Sequence, residues 1–247
     1  MALALEQVAP RARKPVGGFV ERVAGRLGQR LQAAVVFGEA ASPAFMPGRH
    51  PIRTLLLVEV VDAPALSVVG EAMQEARSQG VAAPLMFTSA ELSRSLDAFP
   101  IELSEVKRTG TTVLGEFVPA ELVIRPEHLR LQCERELRGL VVHARLAWFA
   151  AAGSARELGR LLAAGSGRLL PVLEASAGLL AAAEVAGPAA VAQRLGSLLG
   201  VDATVLVDLF ALADAQVPLF ARERLPELAL LLDRLVERVD AWQPGGQ

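Results

Sequence analysis

Residues 35–60 decide the fold, and they read VVFGEAASPAFMPGRHPIRTLLLVEV. A short apolar run ends at Gly38, a loop follows, and a second and more apolar run begins near Arg53. Short runs rich in Val and Leu are typical of buried strands. A glycine at the end of a strand lets backbone N–H groups approach a phosphate closely. The loop ends in HPIR, residues 50–53, which contains a histidine and an arginine but no carboxylate.

Helix-like and strand-like runs alternate around this stretch, in the predicted order α-β-β-α-β-α-β. The fourth strand is predicted in FPIELSEVK, residues 99–107. This order predicts an α/β (α+β) fold, with helices packed on a small mixed sheet, in a domain over residues 16–124. Residues 1–15 are expected to form a flexible N-terminus.

The second half of the chain has helical periodicity throughout, which predicts an all-helical bundle over residues 125–242. Pro126 suits a first helical turn, and Gly200 suits a helix end. Pro218 is predicted to open the last long helix, which Pro226 would kink. Residues 243–247 are expected to form a disordered tail.

Composition excludes several classes of function. The formal net charge of −2 gives no reason to expect nucleic-acid or membrane-surface binding, and no apolar run is long enough to span a bilayer. Cys133 is the single cysteine, so the chain has neither a disulfide nor a cysteine-based zinc site. A cytoplasmic location follows as an expectation. Only Lys14 and Lys107 are lysines, an arginine bias typical of GC-rich bacterial genes.

The strand–glycine–loop–strand unit, followed by a helical half, resembles the nucleotidyltransferase superfamily of minimal and aminoglycoside-type enzymes. That resemblance implies a Gly-Ser pair after the first strand, an Asp-x-Asp on the second strand and a third carboxylate on a later strand. In the family these carboxylates hold magnesium against a nucleoside triphosphate.

The motif positions are degenerate in this sequence. Gly38 is retained, but Glu39 stands at the serine position, and Pro51 and Arg53 stand at the two aspartate positions. Proline and arginine side chains do not bind magnesium. The resemblance therefore implies that magnesium-dependent transfer has been lost.

Acids remain only at the third position, in Glu102 and Glu105. The phrases TSAELSRSLDAFPIELSEVKRTGTTVLGE and LRLQCERELRG resemble a degenerate bacterial branch of the superfamily, and that resemblance implies no particular activity. Arg53, Glu102 and Glu105 are the candidates for residual ligand binding. For Arg53, the alternative is a solvated residue at a strand edge. For Glu102, the alternative is a structural ion pair with an arginine.

Three functions remain open on the sequence. The first is a pseudoenzyme with a binding or regulatory role, which needs no cofactor and binds a nucleotide or a protein, a second copy of the chain included. The second is an active enzyme that binds magnesium through displaced ligands: Glu39, Glu59, Glu102 and Glu105. The third is a ribonuclease, because Arg138 and His143 match the R-x4-H spacing of HEPN ribonucleases.

Overall fold

A computed structural model describes residues 3–43, 45–165, 169–214 and 222–244. The chain divides into two compact units, Met1–Ile124 and Arg125–Gln247. The first unit combines strands with helices, and the described part of the second unit is helical.

The first unit contains four helices and four strands in its described residues. In chain order they are α1 Pro10–Leu27, β1 Leu31–Phe37, β2 Arg53–Val58, α2 Ala63–Ala76, β3 Leu85–Phe87, α3 Ser89–Arg94, α4 Pro100–Thr109 and β4 Thr111–Leu114.

The four strands form one mixed sheet in the order β3-β2-β1-β4. Strand β1 pairs antiparallel with both β2 and β4, whereas β2 and β3 run parallel. Phe37 lies opposite Arg53 at one end of the β1–β2 pair. That register places the last residue before the Gly38 turn directly beside the first residue of β2.

Both faces of the sheet are covered, which explains why β1 and β2 are apolar at nearly every position. Ala34, Val36 and Leu56 belong to a core cluster that includes residues of α1 and α2. Val35 and Leu55 belong to a second cluster, formed with residues such as Leu103 of α4. The sheet is therefore the middle of three layers.

The segment predicted as the fourth strand is helix α4. Ile101 and Leu103 are both buried and two residues apart, which imitates the alternation of a strand. Pro100 begins the helix, and Val106, three residues beyond Leu103, continues the buried face with helical spacing. The fourth strand follows at β4, so two consecutive helices separate β3 from β4.

The start of the chain also differs from the prediction of a flexible segment over residues 1–15. Helix α1 begins at Pro10 and continues through Pro15. Val8 and Ala12 are buried in the core, and the backbone N–H of Ala4 donates to the Val113 carbonyl. The apolar side chains of this segment therefore cover one side of the sheet unit.

The second unit contains six helices in its described residues: α5 Pro126–Ala150, α6 Ala155–Gly165, α7 Leu169–Ala181, α8 Pro188–Leu199, α9 Thr204–Asp214 and α10 Leu225–Asp240.

Several of the predicted helix ends in this unit are confirmed. Pro126 lies in the first turn of α5, and Gly200 ends α8 in a left-handed conformation. Pro226 lies in the first turn of α10 instead of kinking a longer helix. Pro218 and the last three residues of the predicted tail, 245–247, lie outside the described residues. Among the helices that are described, none has the length and hydropathy to cross a membrane.

The capping interaction of Asp62 should make the stability of the fold depend on pH. Its carboxylate caps α2, accepting from the Ala65 N–H at 2.9 Å and from Arg30 at 2.8 Å. The hydrogen bond from Arg30, aided by that from Ala65, lowers the pKa of Asp62. A lowered pKa stabilises the folded state above about pH 4, and this contribution is lost as the pH falls further. Wild type should exceed Asp62→Asn in unfolding free energy at pH 7, and the two should converge as the pH falls below the lowered pKa of Asp62. A difference that persists at low pH would contradict this origin.

The burial of Cys133 predicts that its thiol reacts only after unfolding. The residue is fully buried in α5, and burial raises the pKa of the thiol to about 12. Because the thiolate is the reactive form, a disulfide reagent at pH 8 should label the native protein slowly and the unfolded protein quickly. Equal rates in buffer and in guanidinium chloride would show that the α5 core opens readily.

Candidate functional site

Three charged side chains meet at the end of the β1–β2 pair, and we call Arg53, Glu39 and Glu105 the Arg53 cluster. Arg53 is the first residue of β2, Glu39 lies in the 3-10 turn Gly38–Ala41 after β1, and Glu105 lies on α4. The three residues therefore come from separate elements, and the fold brings them together.

The guanidinium of Arg53 is held on two sides. Glu105 binds it with both carboxylate oxygens, through a bond from Nη1 at 2.6 Å and a short contact with Nη2. Glu39 accepts a further bond from Nη2 at 3.2 Å. A bidentate arginine–carboxylate pair is among the stronger charge-assisted interactions. Both carboxylates of the cluster are thus committed to one cation.

Burial strengthens the dependence of these groups on one another. The side chains of Arg53 and Glu105 are 24% and 11% exposed. Burial opposes the charge on Arg53, but Glu105 and then Glu39 outweigh it and raise the pKa of the guanidinium. Burial also raises the pKa of Glu105, against the opposing effect of Arg53. The arginine consequently remains a fixed positive charge at this place.

Gly38 provides the space for that charge. Its φ is +74°, and a Cβ at this position would lie 3.0 Å from Cζ and 3.1 Å from Nε of Arg53, with Nη2 closer still. The guanidinium also lies over the Phe37 ring, 5.2 Å from its centroid. In this structure the glycine permits close approach of an arginine side chain.

The backbone N–H of Gly38 is also committed. It donates to the hydroxyl of Thr109 at 2.7 Å, and that hydroxyl donates to the Glu105 carbonyl at 2.8 Å. The backbone donor that the sequence resemblance predicted to face a phosphate therefore binds the end of α4.

The residues at the positions predicted for metal ligands do not fit magnesium. The side chains of Pro51 and Arg53 offer no oxygen ligand, and Glu39 and Glu105 are both bound to the guanidinium. Across the described residues, no group of three or more His, Cys, Asp or Glu side chains is placed to hold a metal ion.

The other two predicted acids, Glu59 and Glu102, do not belong to the Arg53 cluster. Glu59 follows the far end of β2, six residues from Arg53 and therefore about 20 Å along the strand. Glu102 lies on α4 one turn before Glu105. Oxygen ligands of one magnesium ion lie within about 4 Å of each other, so Glu59 is excluded from a shared metal site.

Arg138 and His143 have different surroundings on α5. Arg138 binds Glu134 at 2.9 Å and lies 3.6 Å from Asp240. His143 lines an apolar cavity of about 60 Å³ together with leucines such as Leu161 and Leu209. Residues five apart on a helix point about 140° away from each other. The described geometry does not bring this pair together as a ribonuclease site.

Sequence reasoning named Gly38, Glu39, Arg53 and Glu105 but missed that the fold brings them together and that Gly38 binds Thr109. Arg53 and Glu105 are 52 positions apart. The prediction of a strand over residues 99–107 also placed Glu105 on a strand, whereas it lies on helix α4. The available signal for this ion pair was the opposite charge of Arg53, at the start of a predicted strand, and Glu105, beside a predicted sheet edge.

Because the Arg53 side chain lies so close to Gly38, substitution of Gly38 should lower stability by an amount that depends on Arg53. Gly38→Ala should destabilise the protein through the positive φ and through collision with the guanidinium. Gly28→Ala is a matched control, because φ is +55° there and no heavy atom lies within 4 Å of its Cβ position. We expect the Gly38 variant to lose about 1–3 kcal/mol more than the control in chemical denaturation. In an Arg53→Ala background this excess should disappear; if it does not, the arginine contact is not its cause.

Comparisons with known proteins support the fold. No protein-family model matches the sequence, and no curated protein matches it. A matching solved structure is a spectinomycin adenyltransferase from Enterococcus faecialis, determined with ATP and spectinomycin. The alignment has a TM-score of 0.58 at 9% identity and covers 92% of this chain and 98% of that chain. The predicted fold class is thereby confirmed: this chain has a nucleotidyltransferase-like α/β fold with a helical region.

Proposed function

We propose that this chain is a catalytically degenerate nucleotidyltransferase-like protein with a binding or regulatory role. The observation that carries the proposal is the Arg53 cluster, in which the guanidinium binds both Glu39 and Glu105, and the sequence resemblance assigns Arg53 to the second aspartate position of the motif. Nucleotidyl transfer by this family relies on carboxylates that hold magnesium on the triphosphate. Here a positive side chain takes that position and occupies the neighbouring carboxylates.

The active alternative has less support from the same geometry. Of its four ligands, Glu39 and Glu105 neutralise Arg53, and Glu59 lies at the other end of β2. Glu102 by itself would give magnesium a single protein carboxylate. One carboxylate supplies too little charge to replace the ligands of a two-metal centre.

An exposed apolar face supports binding of a protein partner. Leu131, Val142, Leu146 and Phe149 are each more than half exposed on α5. Val142, Leu146 and Phe149 follow Leu131 by 11, 15 and 18 positions. This spacing places all four side chains on one side of the helix. Large exposed apolar groups on one side are typical of an interaction surface. A second copy of the chain is one such partner, and light scattering of the purified protein would reveal it.

Thermal unfolding with ATP, GTP, CTP and UTP, each with and without magnesium, tests the proposal. A ligand that binds the folded state raises the unfolding midpoint. We expect no magnesium-dependent rise and no pyrophosphate release with any of the four nucleotides. A rise without magnesium would identify a nucleotide-binding regulator, and no rise would favour the protein partner.

A magnesium-dependent rise with one nucleotide would overturn the proposal if Glu105→Gln abolished it. Glu237→Gln, a change of the same kind at an exposed position on α10, is the matched control. An effect of both substitutions would indicate a change in stability rather than the loss of a metal ligand.

A further inference from the structure

An apolar cavity of about 220 Å³ lies between helices α5 and α10 of the second unit. Each helix lines it with residues at helical spacing, including Val141 and Trp148 on α5 and Leu225 and Leu232 on α10. Val141, Leu225 and Leu232 are buried. The inner wall of the cavity is therefore made of core side chains of the helical unit.

Two small residues explain why space remains between these helices. Ala144 on α5 and Ala229 on α10 both line the cavity, and larger side chains at these positions would fill part of it. An unfilled apolar space forfeits the contacts that its lining would otherwise make, so a molecule that fits there gains them. An engineered apolar cavity of about 150 Å³ binds benzene, so this larger cavity has room for a ligand.

A positive charge stands at the mouth of the cavity. Among the described residues that line it, Arg145 is the only charged one, and its side chain is 62% exposed. Phe149, which is 72% exposed, lines the same opening. The nearest acid to Arg145 is Asp233, at 3.7 Å, which is longer than a hydrogen bond. Exposed contacts of this kind contribute little, so the guanidinium is able to bind an anion instead.

We infer that this cavity binds a small amphipathic anion, a medium-chain carboxylate, with its apolar chain between α5 and α10 and its carboxylate on Arg145. An apolar wall with a single polar group at the opening is typical of small-molecule sites, in which that group fixes the orientation of the ligand. A guanidinium matches the geometry of a carboxylate. The inference involves only residues of the second unit and does not depend on the proposed function.

The test titrates the full-length protein with butanoate, hexanoate, octanoate and decanoate. In a Trp242→Phe background Trp148 is the only tryptophan, so its emission reports on the cavity. We expect saturable binding of octanoate with a Kd below about 1 mM. The Kd should fall about fourfold for each added methylene group until the cavity is full. If none of the four saturates below about 1 mM, the inference is overturned.

The role of the charge is tested with octanol, which has the chain of octanoate without its charge. Arg145→Ala should weaken octanoate binding about threefold or more and leave octanol binding unchanged. Asp233→Asn should strengthen octanoate binding, because it removes the competing acid. Arg135→Ala is the matched control, since Arg135 is 70% exposed on the same helix and does not line the cavity. Equal losses for octanol and octanoate in Arg145→Ala would show that no anion is recognised there.

The position of the ligand is tested by filling the cavity. Ala229→Leu should weaken octanoate binding at least about tenfold, because its side chain takes the space of the ligand. Ala190→Leu, the same change at an exposed position on α8, should have no effect. Ala144→Leu repeats the test from α5 if Ala229→Leu does not fold, and the titrations above need neither variant.

Undiminished binding by a folded variant with leucine at either cavity position would overturn the inference. So would a wild-type dimer that binds no octanoate and becomes monomeric in Ala229→Leu, because a second copy of the chain would then occupy the cavity. Light scattering of the same samples distinguishes these outcomes.

Discussion

The ion pair between Arg53 and Glu105 is the interaction on which the sheet end of the first unit depends. It joins the first residue of β2 to α4, and Glu39 adds the turn after β1 to the same charge. A buried pair of this kind is not necessarily stabilising compared with apolar side chains, but breaking it leaves an uncompensated charge. The geometry of the turn, the strand and the helix is therefore coupled through one side chain. Any ligand that competed for this guanidinium would have to compensate two carboxylates at once.

The fold and a metal site place different demands on the sequence. The three-layer arrangement needs only apolar residues on both faces of β1 and β2, and the sequence retains them at nearly every position. A metal site needs particular oxygen ligands at a few positions, and the side chains of Pro51 and Arg53, the positions predicted for such ligands, supply none. Similarity in fold to an adenyltransferase at 9% identity is consistent with this separation, because packing tolerates substitutions that a metal centre does not.

Much of the fold could be read from local patterns, and much of the site could not. The strands around Leu55 and Val35 were predictable because short apolar runs between turn residues are distinctive. Helix α4 was mistaken for a strand because Ile101 and Leu103 alternate with polar residues, and only Val106 carries the helical period. The cluster depends on contacts across 14 and 52 positions, which no local pattern encodes. Gly38 was recognised as important, but the group that approaches it is an arginine.

The hydrogen bond from Gly38 to Thr109 has a consequence for how such a protein could change over evolutionary time. Placing aspartate at position 53 would leave Glu39 and Glu105 beside another acid, and the Gly38 N–H would still be held by the hydroxyl of Thr109 on α4. A single replacement toward a metal centre would thus give a chain with unbalanced charge and lower stability. A metal centre at this place would need several coordinated replacements. Selection for a stable fold would meanwhile keep the glycine in place, so its persistence in a sequence is poor evidence for nucleotide binding.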